Sequence, residues 1–260
     1  MPQTDTQAST RAEENTLRLT FVGSGDIFGS GGRLQTCIAV ASQSSSFLID
    51  CGASALIGLQ RCQIAPNSID TILLTHLHGD HFAGIPFFIL DAQLNSKRKD
   101  PLLIAGPIGT RQRLFTTMEA LFPGLAHTQQ KFSLEIKELT AEQTYVLPHL
   151  SVTPYPVEHA SGAPSLALRI TCAQKTITYT GDTQWTDTLI PAAQDADLLI
   201  AEAYFFEKRV KYHLDLQTLL AHRDELQARR VILTHMHQDM LARGQSAPFE
   251  LAEDGKLIEL

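Results

Sequence analysis

The run His76-Leu77-His78-Gly79-Asp80-His81 constrains this chain more than any other feature. It packs four potential metal ligands into six residues, directly after the apolar, β-type stretch Ile69-Asp70-Thr71-Ile72-Leu73-Leu74-Thr75. Imidazole and carboxylate together suit zinc, manganese or iron, and crowding them this tightly is unfavourable unless a cation sits among them. A lone histidine in a chain of 260 residues is usually a satisfied structural residue; three histidines and an aspartate at this spacing read differently. The stretch predicts a metal-centred hydrolase.

Composition narrows the partners. The chain is 43% hydrophobic, enough for a substantial core. Its net charge of −7 gives no bulk attraction to nucleic acid or to an anionic membrane. The local basic patch Lys97-Arg98-Lys99 reads as a solvated turn after a helix. Cys37, Cys51, Cys62 and Cys172 form no C-x-x-C pair, a pattern that suits reduced thiols. Residues 1–15 are polar and lack the apolar core of a signal peptide, so a flexible tail over 1–16 and a single folded domain over 17–260 are expected. No apolar stretch is long enough to span a bilayer, and a cytoplasmic address follows as the default.

Strand-like and helix-like runs alternate. Strands are expected at Leu17–Val22, Leu34–Ala41, Ser46–Asp50, Pro101–Ala105, Phe132–Leu139, Gln143–Leu147, Leu150–Pro156, Ser165–Thr171, Thr176–Thr180, Leu198–Ala201, Val231–Thr234 and near Lys256–Leu260. Helices are expected over Ala53–Cys62, Phe82–Asn95, Ile108–Leu121 and Leu216–Gln227. The fold class is α/β: two sheets with helices outside them, a four-layer αβ/βα sandwich. Open α/β architectures place their chemistry beyond strand C-terminal ends. Several polar residues stand at such ends: His76, His159, Asp182 after Gly181, Glu202 after Ala201, and His235 after Thr234. One of these alone reads as a helix cap; their recurrence predicts convergence on one site.

These residues resemble the metallo-β-lactamase fold superfamily. The matching elements are Thr75-His76-Leu77-His78-Gly79-Asp80-His81, His159, Gly181-Asp182-Thr183 and Thr234-His235, spread from about Leu17 to about Leu241. The resemblance implies two divalent metal ions, zinc or manganese. His76, His78 and His159 would hold one, Asp80, His81 and His235 the other, with Asp182 between them. Thr20-Phe21-Val22-Gly23-Ser24-Gly25, Ala201-Glu202-Ala203 and Tyr212-His213-Leu214-Asp215-Leu216-Gln217-Thr218 look like the ribonuclease Z and phosphodiesterase branch. The stretch His213 to His235 is especially similar to the phosphoribosyl cyclic phosphate diesterase of the carbon–phosphorus lyase pathway. The interval from His159 to Asp182 is filled by two strands and leaves no room for the long arm of ribonuclease Z. Phe28-Gly29-Ser30-Gly31-Gly32 stands where the phosphoribosyl enzyme carries a cysteine cluster.

The expected activity is hydrolysis of a small cyclic or nucleotide-like phosphodiester by a hydroxide shared between the two metals. By resemblance His213 is the general acid, Glu202 tunes its imidazole, and Asp80 serves catalysis as well as ligation. Asp215 is expected to cap the helix that follows. The small-molecule substrate argues against nucleic acid as a partner, and no membrane is involved. Dimers are common in the branch, so a homodimer is expected, with the apolar helix after His81 contributing. A ribonuclease Z-like endonuclease is the first alternative; a lactone, thioester or sulfate ester hydrolase on the same ligands is the second. A metal-bound scaffold without turnover would normally have lost a ligand. His127, His149 and His222 read as loop or surface residues, His237 as outside the site. The Gly23–Gly32 stretch reads as a loop flanking the site, and Trp185, Phe205 and Phe206 as core.

Overall fold

The computed structural model describes residues 16–260; the expected N-terminal tail lies outside them but for Thr16. In chain order the elements are β1 (Arg18–Gly23), β2 (Cys37–Ala41), β3 (Ser46–Ile49), α1 (Ala55–Arg61), β4 (Thr71–Leu73), α2 (Gly79–Phe82), α3 (Ile85–Leu94), β5 (Leu102–Pro107), α4 (Thr110–Leu121) and β6 (Leu134–Leu139). There follow β7 (Tyr145–Leu147), β8 (Leu150–Val157), β9 (Ser165–Cys172), β10 (Lys175–Tyr179), α5 (Leu189–Ala193), β11 (Leu198–Glu202), α6 (Leu216–Ala221), α7 (Arg223–Leu226), β12 (Val231–Thr234), α8 (Gln238–Arg243), β13 (Glu250–Leu251) and β14 (Leu257–Glu259).

Two mixed sheets result, ordered β14-β1-β2-β3-β4-β5-β6 and β13-β12-β11-β10-β9-β8-β7. The last strand crosses back to the first sheet, pairing antiparallel with β1 at Leu19 and Ile258. Side chains alternate between the two faces of each strand, and here both faces are apolar. Phe47 and Ile49 of β3 face the inter-sheet core with Val152, Ile177 and Ile200, while Leu48 faces outward with Phe88, Ile89 and Met118. In the second sheet Ile200 and Ile232 point inward, and Leu199 and Leu233 point out to Leu216, Leu219 and Met240. Fully burying a side chain such as Phe47 contributes roughly 2–3 kcal/mol. Helices on both outer faces complete the four-layer sandwich expected from the alternating pattern.

Several boundaries differ for physical reasons. The helix expected over Phe82–Asn95 is broken at Ala83–Gly84, because Gly84 packs directly on the α1 approach. Its N–H donates to Cys51 O, and a Cβ there would lie 2.2 Å from Gly52 O. The helix expected over Leu216–Gln227 splits at His222 and ends with Gln227 in the left-handed region at φ 47°. Asp215 caps α6, its carboxylate accepting from Thr218 N at 2.9 Å. Two short helices, α5 and α8, and the edge strand β13 were not foreseen; they are too brief to show a periodicity.

The Lys97-Arg98-Lys99 turn is not wholly solvated. Arg98 is 1% exposed, and its guanidinium donates to the carbonyls of Ile69 at 2.6 Å, Pro101 at 2.8 Å, Asp100 at 2.9 Å and Pro66 at 3.3 Å. A guanidinium presents five N–H donors in one plane, which lets a single side chain satisfy carbonyls from two separate chain segments, 66–69 and 100–101. Trp185, Phe205 and Phe206 are half-buried rather than core residues.

Candidate metal centre

The strand ends converge. After β4 the chain presents His76 and His78, and the single turn of α2 turns Asp80 and His81 toward the same point. His159 follows β8, Asp182 follows β10, Glu202 closes β11 and His235 follows β12. Two exits use left-handed backbone at residues other than glycine: Asp50, after β3, at φ 58° and His235 at φ 54°. Such conformations are unfavourable for L-residues and persist where the surroundings enforce them, commonly at functional sites.

Three groups bring nitrogen and oxygen ligand atoms within 4.8 Å of one another: His76, His78 and His159; Asp80, His81, Asp182 and His235; and Asp182, Glu202, His213 and His235. Asp182 lies between the first two. Its carboxylate is 3.9 Å from both His76 Nε2 and His159 Nε2, 3.2 Å from His81 Nε2 and 3.4 Å from His235 Nε2. All seven residues expected as ligands therefore come together at one place.

The donor set fits divalent cations. His81 Nε2 and His235 Nε2 stand 3.3 Å apart, and His78 Nδ1 and His159 Nε2 3.0 Å apart. The buried atoms His76 Nε2, Asp80 Oδ1 and Asp182 Oδ1 have no hydrogen-bond partner among the described residues. Buried polar atoms are normally satisfied, so a ring nitrogen and two carboxylate oxygens left unpartnered within one cluster suit a cation. The outward nitrogens are held: His81 Nδ1 lies 2.7 Å from Asp50 Oδ2, His159 Nδ1 3.1 Å from Tyr212 O and His76 Nδ1 3.1 Å from Thr75 Oγ1.

Without a cation these groups neutralise each other. Burial opposes charge on His235, yet Asp182 and Asp80 outweigh it and raise the imidazole to about 10. Asp182 is held well below the carboxylate range against its own burial, chiefly by His235 and His81. Burial, reinforced by neighbouring imidazoles, keeps His76 far below 6.5.

At the rim, Glu202 is fully buried and its Oε1 lies 2.5 Å from His213 Nδ1. Its other oxygen accepts from Thr183 N at 2.9 Å and Leu214 N at 3.2 Å. The His213 ring stacks on Tyr204 at 4.6 Å and 26°, and meets His159 edge-on at 5.2 Å. His237 caps α8 instead, its Nδ1 accepting from Asp239 N at 3.3 Å. His127 and His149 are exposed, while His222 is half-buried and lies flat on Trp185. Asp50 and Tyr204 were missed. Asp50 satisfies the strand-end rule that singled out the others, but the expected strand Ser46–Asp50 took it in as the last strand residue, whereas the strand ends at Ile49.

Among solved structures, the chain is similar to the metallo-β-lactamase fold protein YhfI of Bacillus subtilis. The TM-score is 0.77 at 23% identity, covering 95% of this chain and 100% of that one. It is also similar to human tRNase Z, short form, with a TM-score of 0.74 at 26% identity over 93% of this chain and 98% of that one. Ribonuclease Z of Methanosarcina acetivorans is 27% identical over 85% of this chain and 87% of that protein. Human zinc phosphodiesterase ELAC protein 1 is 34% identical over 49% of this chain, a match that spans only 35% of that relative. Fold and site define a metallo-β-lactamase-fold, metal-dependent hydrolase related to ribonuclease Z and to phosphodiesterases. The chain belongs to the anti-Pycsar protein Apyc1 family, whose model matches residues 17–258. Among the described residues, no helix is long and apolar enough to cross a membrane.

Proposed function

We propose that the chain is a dinuclear metal-dependent phosphodiesterase that opens a small cyclic phosphodiester, a cyclic nucleotide being the substrate that fits its family. The observation that carries this reading is the Glu202–His213 pair standing beside the seven-residue cluster. A phosphodiester centre needs a proton for the departing alkoxide, and this pair supplies one.

His76, His78 and His159 would hold one divalent cation and Asp80, His81 and His235 a second, with Asp182 between the two groups; zinc or manganese there would lower the pKa of bound water and compensate the phosphoryl charge. Glu202 accepts from His213 Nδ1–H, which fixes the tautomer and directs Nε2 outward. Burial works against the charged imidazole, but the hydrogen bond and charge of Glu202 outweigh it and raise its pKa above 6.5. This shift favours the protonated imidazole, which delivers its proton from Nε2 to the alkoxide oxygen as the P–O bond breaks. Asp50 and the Tyr212 carbonyl hold the His81 and His159 rings in register.

A ribonuclease Z-like reading is favoured by one specific feature. Lys208, Arg209 and Lys211 stand exposed on the loop leading to His213, with Lys208 over the Phe205 ring and Lys211 over the Tyr212 ring. Cations interleaved with aromatics suit a polynucleotide strand, so the acidic net charge does not rule RNA out. A homodimer and a cytoplasmic address belong to the same proposal, supported by Phe87 and Leu94 exposed on α3 and by four free cysteines.

The test is a substrate panel with Zn²⁺ or Mn²⁺: 3′,5′- and 2′,3′-cyclic nucleotides, bis-(4-nitrophenyl) phosphate, lactones and a precursor transfer RNA. Turnover of cyclic nucleotides supports the proposal. Cleavage of the RNA with inert cyclic nucleotides would replace it with the second reading.

A further inference from the structure

A cavity of about 450 Å³ opens beside the metal-ligand cluster, between the loop after β10, the loop after β11 and helix α6. Its lining includes Gln184, Trp185, Arg209, Lys211, His213 and His222. His213 is the shared wall: its ring also stands 5.2 Å from His159 and 6.3 Å from His235, at the edge of the cluster. The volume falls within the range of roughly 300–1,000 Å³ typical of small-molecule sites.

The lining has a consistent chemistry. Trp185 and His222 lie parallel, with ring centroids 3.6 Å apart at 11°, and present a flat aromatic stack. The indole is held by its own N–H, which donates to Asp187 Oδ1 at 3.2 Å. Gln184 Oε1 accepts from Tyr212 N at 3.1 Å, which fixes the carboxamide and leaves its Nε2 with no partner among the described residues. Arg209 is exposed and has no ion pair among the described residues, and Lys211 rests over the Tyr212 ring. An aromatic wall, a fixed amide donor and cationic donors are what a planar heterocycle with ring nitrogens and carbonyl oxygens requires.

We propose that this cavity is the nucleoside subsite of the phosphodiesterase, which takes the base and sugar attached to the departing oxygen. The inference rests on the proposed hydrolysis and follows from the direction of proton delivery. The oxygen that leaves phosphorus takes its proton from His213, so the sugar bearing that oxygen lies on the His213 side of the cluster. The cavity that His213 lines is then the space into which the base extends. A diester with no nucleoside occupies the cluster and leaves this cavity empty.

Trp185 is the single tryptophan of the chain, so fluorescence excited selectively at tryptophan reports on this cavity. The zinc-loaded protein is titrated with a nucleoside 5′-monophosphate and, separately, with inorganic phosphate. Saturable quenching or a spectral shift with the nucleotide, absent with phosphate, is the expected result; identical responses to both overturn the assignment. Kinetically, Trp185→Ala should lower kcat/KM for a cyclic nucleotide relative to methyl 4-nitrophenyl phosphate by roughly tenfold, the loss of one stacking partner, through KM. The exposed Arg209→Ala, which has no packing role to lose, should move the same ratio in the same direction. An unchanged ratio in both variants sinks the subsite. The fluorescence titration needs no turnover. Nucleotide-specific quenching in a protein that hydrolyses neither diester keeps the subsite and removes the phosphodiesterase reading, whereas hydrolysis of both diesters without that quenching does the reverse.

Discussion

Asp50 Oδ2 lies 2.7 Å from His81 Nδ1 while the same carboxylate accepts from Thr75 N and Thr75 Oγ1, both at 2.8 Å. One buried side chain thus ties β3 to the loop after β4 and orients a histidine of the cluster without reaching the pocket itself. Such outer carboxylates fix the tautomer and raise the basicity of the ring they hold. Asp50→Asn should leave the fold assembled and weaken zinc affinity about 10–100-fold. Competition against a chromophoric chelator measures this, and equal affinity in the variant would assign Asp50 to loop structure alone.

The Glu202–His213 pair carries a pH signature with a definite sign. The His213 pKa is raised in the folded protein, so its contribution to stability is fully present below the unfolded value of about 6.5 and is lost as pH rises through the folded one. In metal-free protein, NMR of the His213 ring should show a titration above 6.5 that moves down in Glu202→Gln. In the loaded enzyme, His213→Ala should lower kcat about 10²–10³-fold and remove the alkaline limb of its profile while zinc content holds. A full-rate His213→Ala enzyme would end the acid role.

Metal removal should be visible in stability. A cation bound to the folded chain and not to the unfolded one stabilises by about 2.7 kcal/mol when free metal stands a hundredfold above Kd. Chelation should therefore lower Tm, and Asp182→Ala, which removes the carboxylate between the two histidine groups, should abolish most of the zinc-dependent increment. Calorimetry with and without zinc distinguishes these outcomes.

Arg98 offers a check far from the pocket. Replacing it with Met removes the guanidinium and strands several carbonyls that it satisfies, a loss of about 3 kcal/mol. Urea unfolding should record that loss with the zinc affinity unchanged.

Much of this molecule was legible in its residues because the pattern is local. Apolar runs ending in a single polar residue mark strands that stop at a pocket, and His76, His159, Asp182 and His235 all obey that rule. The layered architecture followed from the same runs. What resisted reading depends on contacts distant in sequence. Gly84 breaks a helix because Gly52 and Cys51 lie against it, and Arg98 is buried because loops around Ile69, Pro66 and Pro101 close over it. The interleaved cations around Arg209 carry no weight in a net charge of −7 until the fold sets them beside His213.

The seven residues are divided between the two sheets: His76, His78, Asp80 and His81 issue from the first, His159, Asp182 and His235 from the second. Neither half can complete a coordination sphere by itself, so each cation would act as a rivet across the seam. Occupancy then reports on how the halves are aligned, and a substitution that lets one sheet slide by a fraction of an ångström would be read out first as lost metal, well before the core gives way.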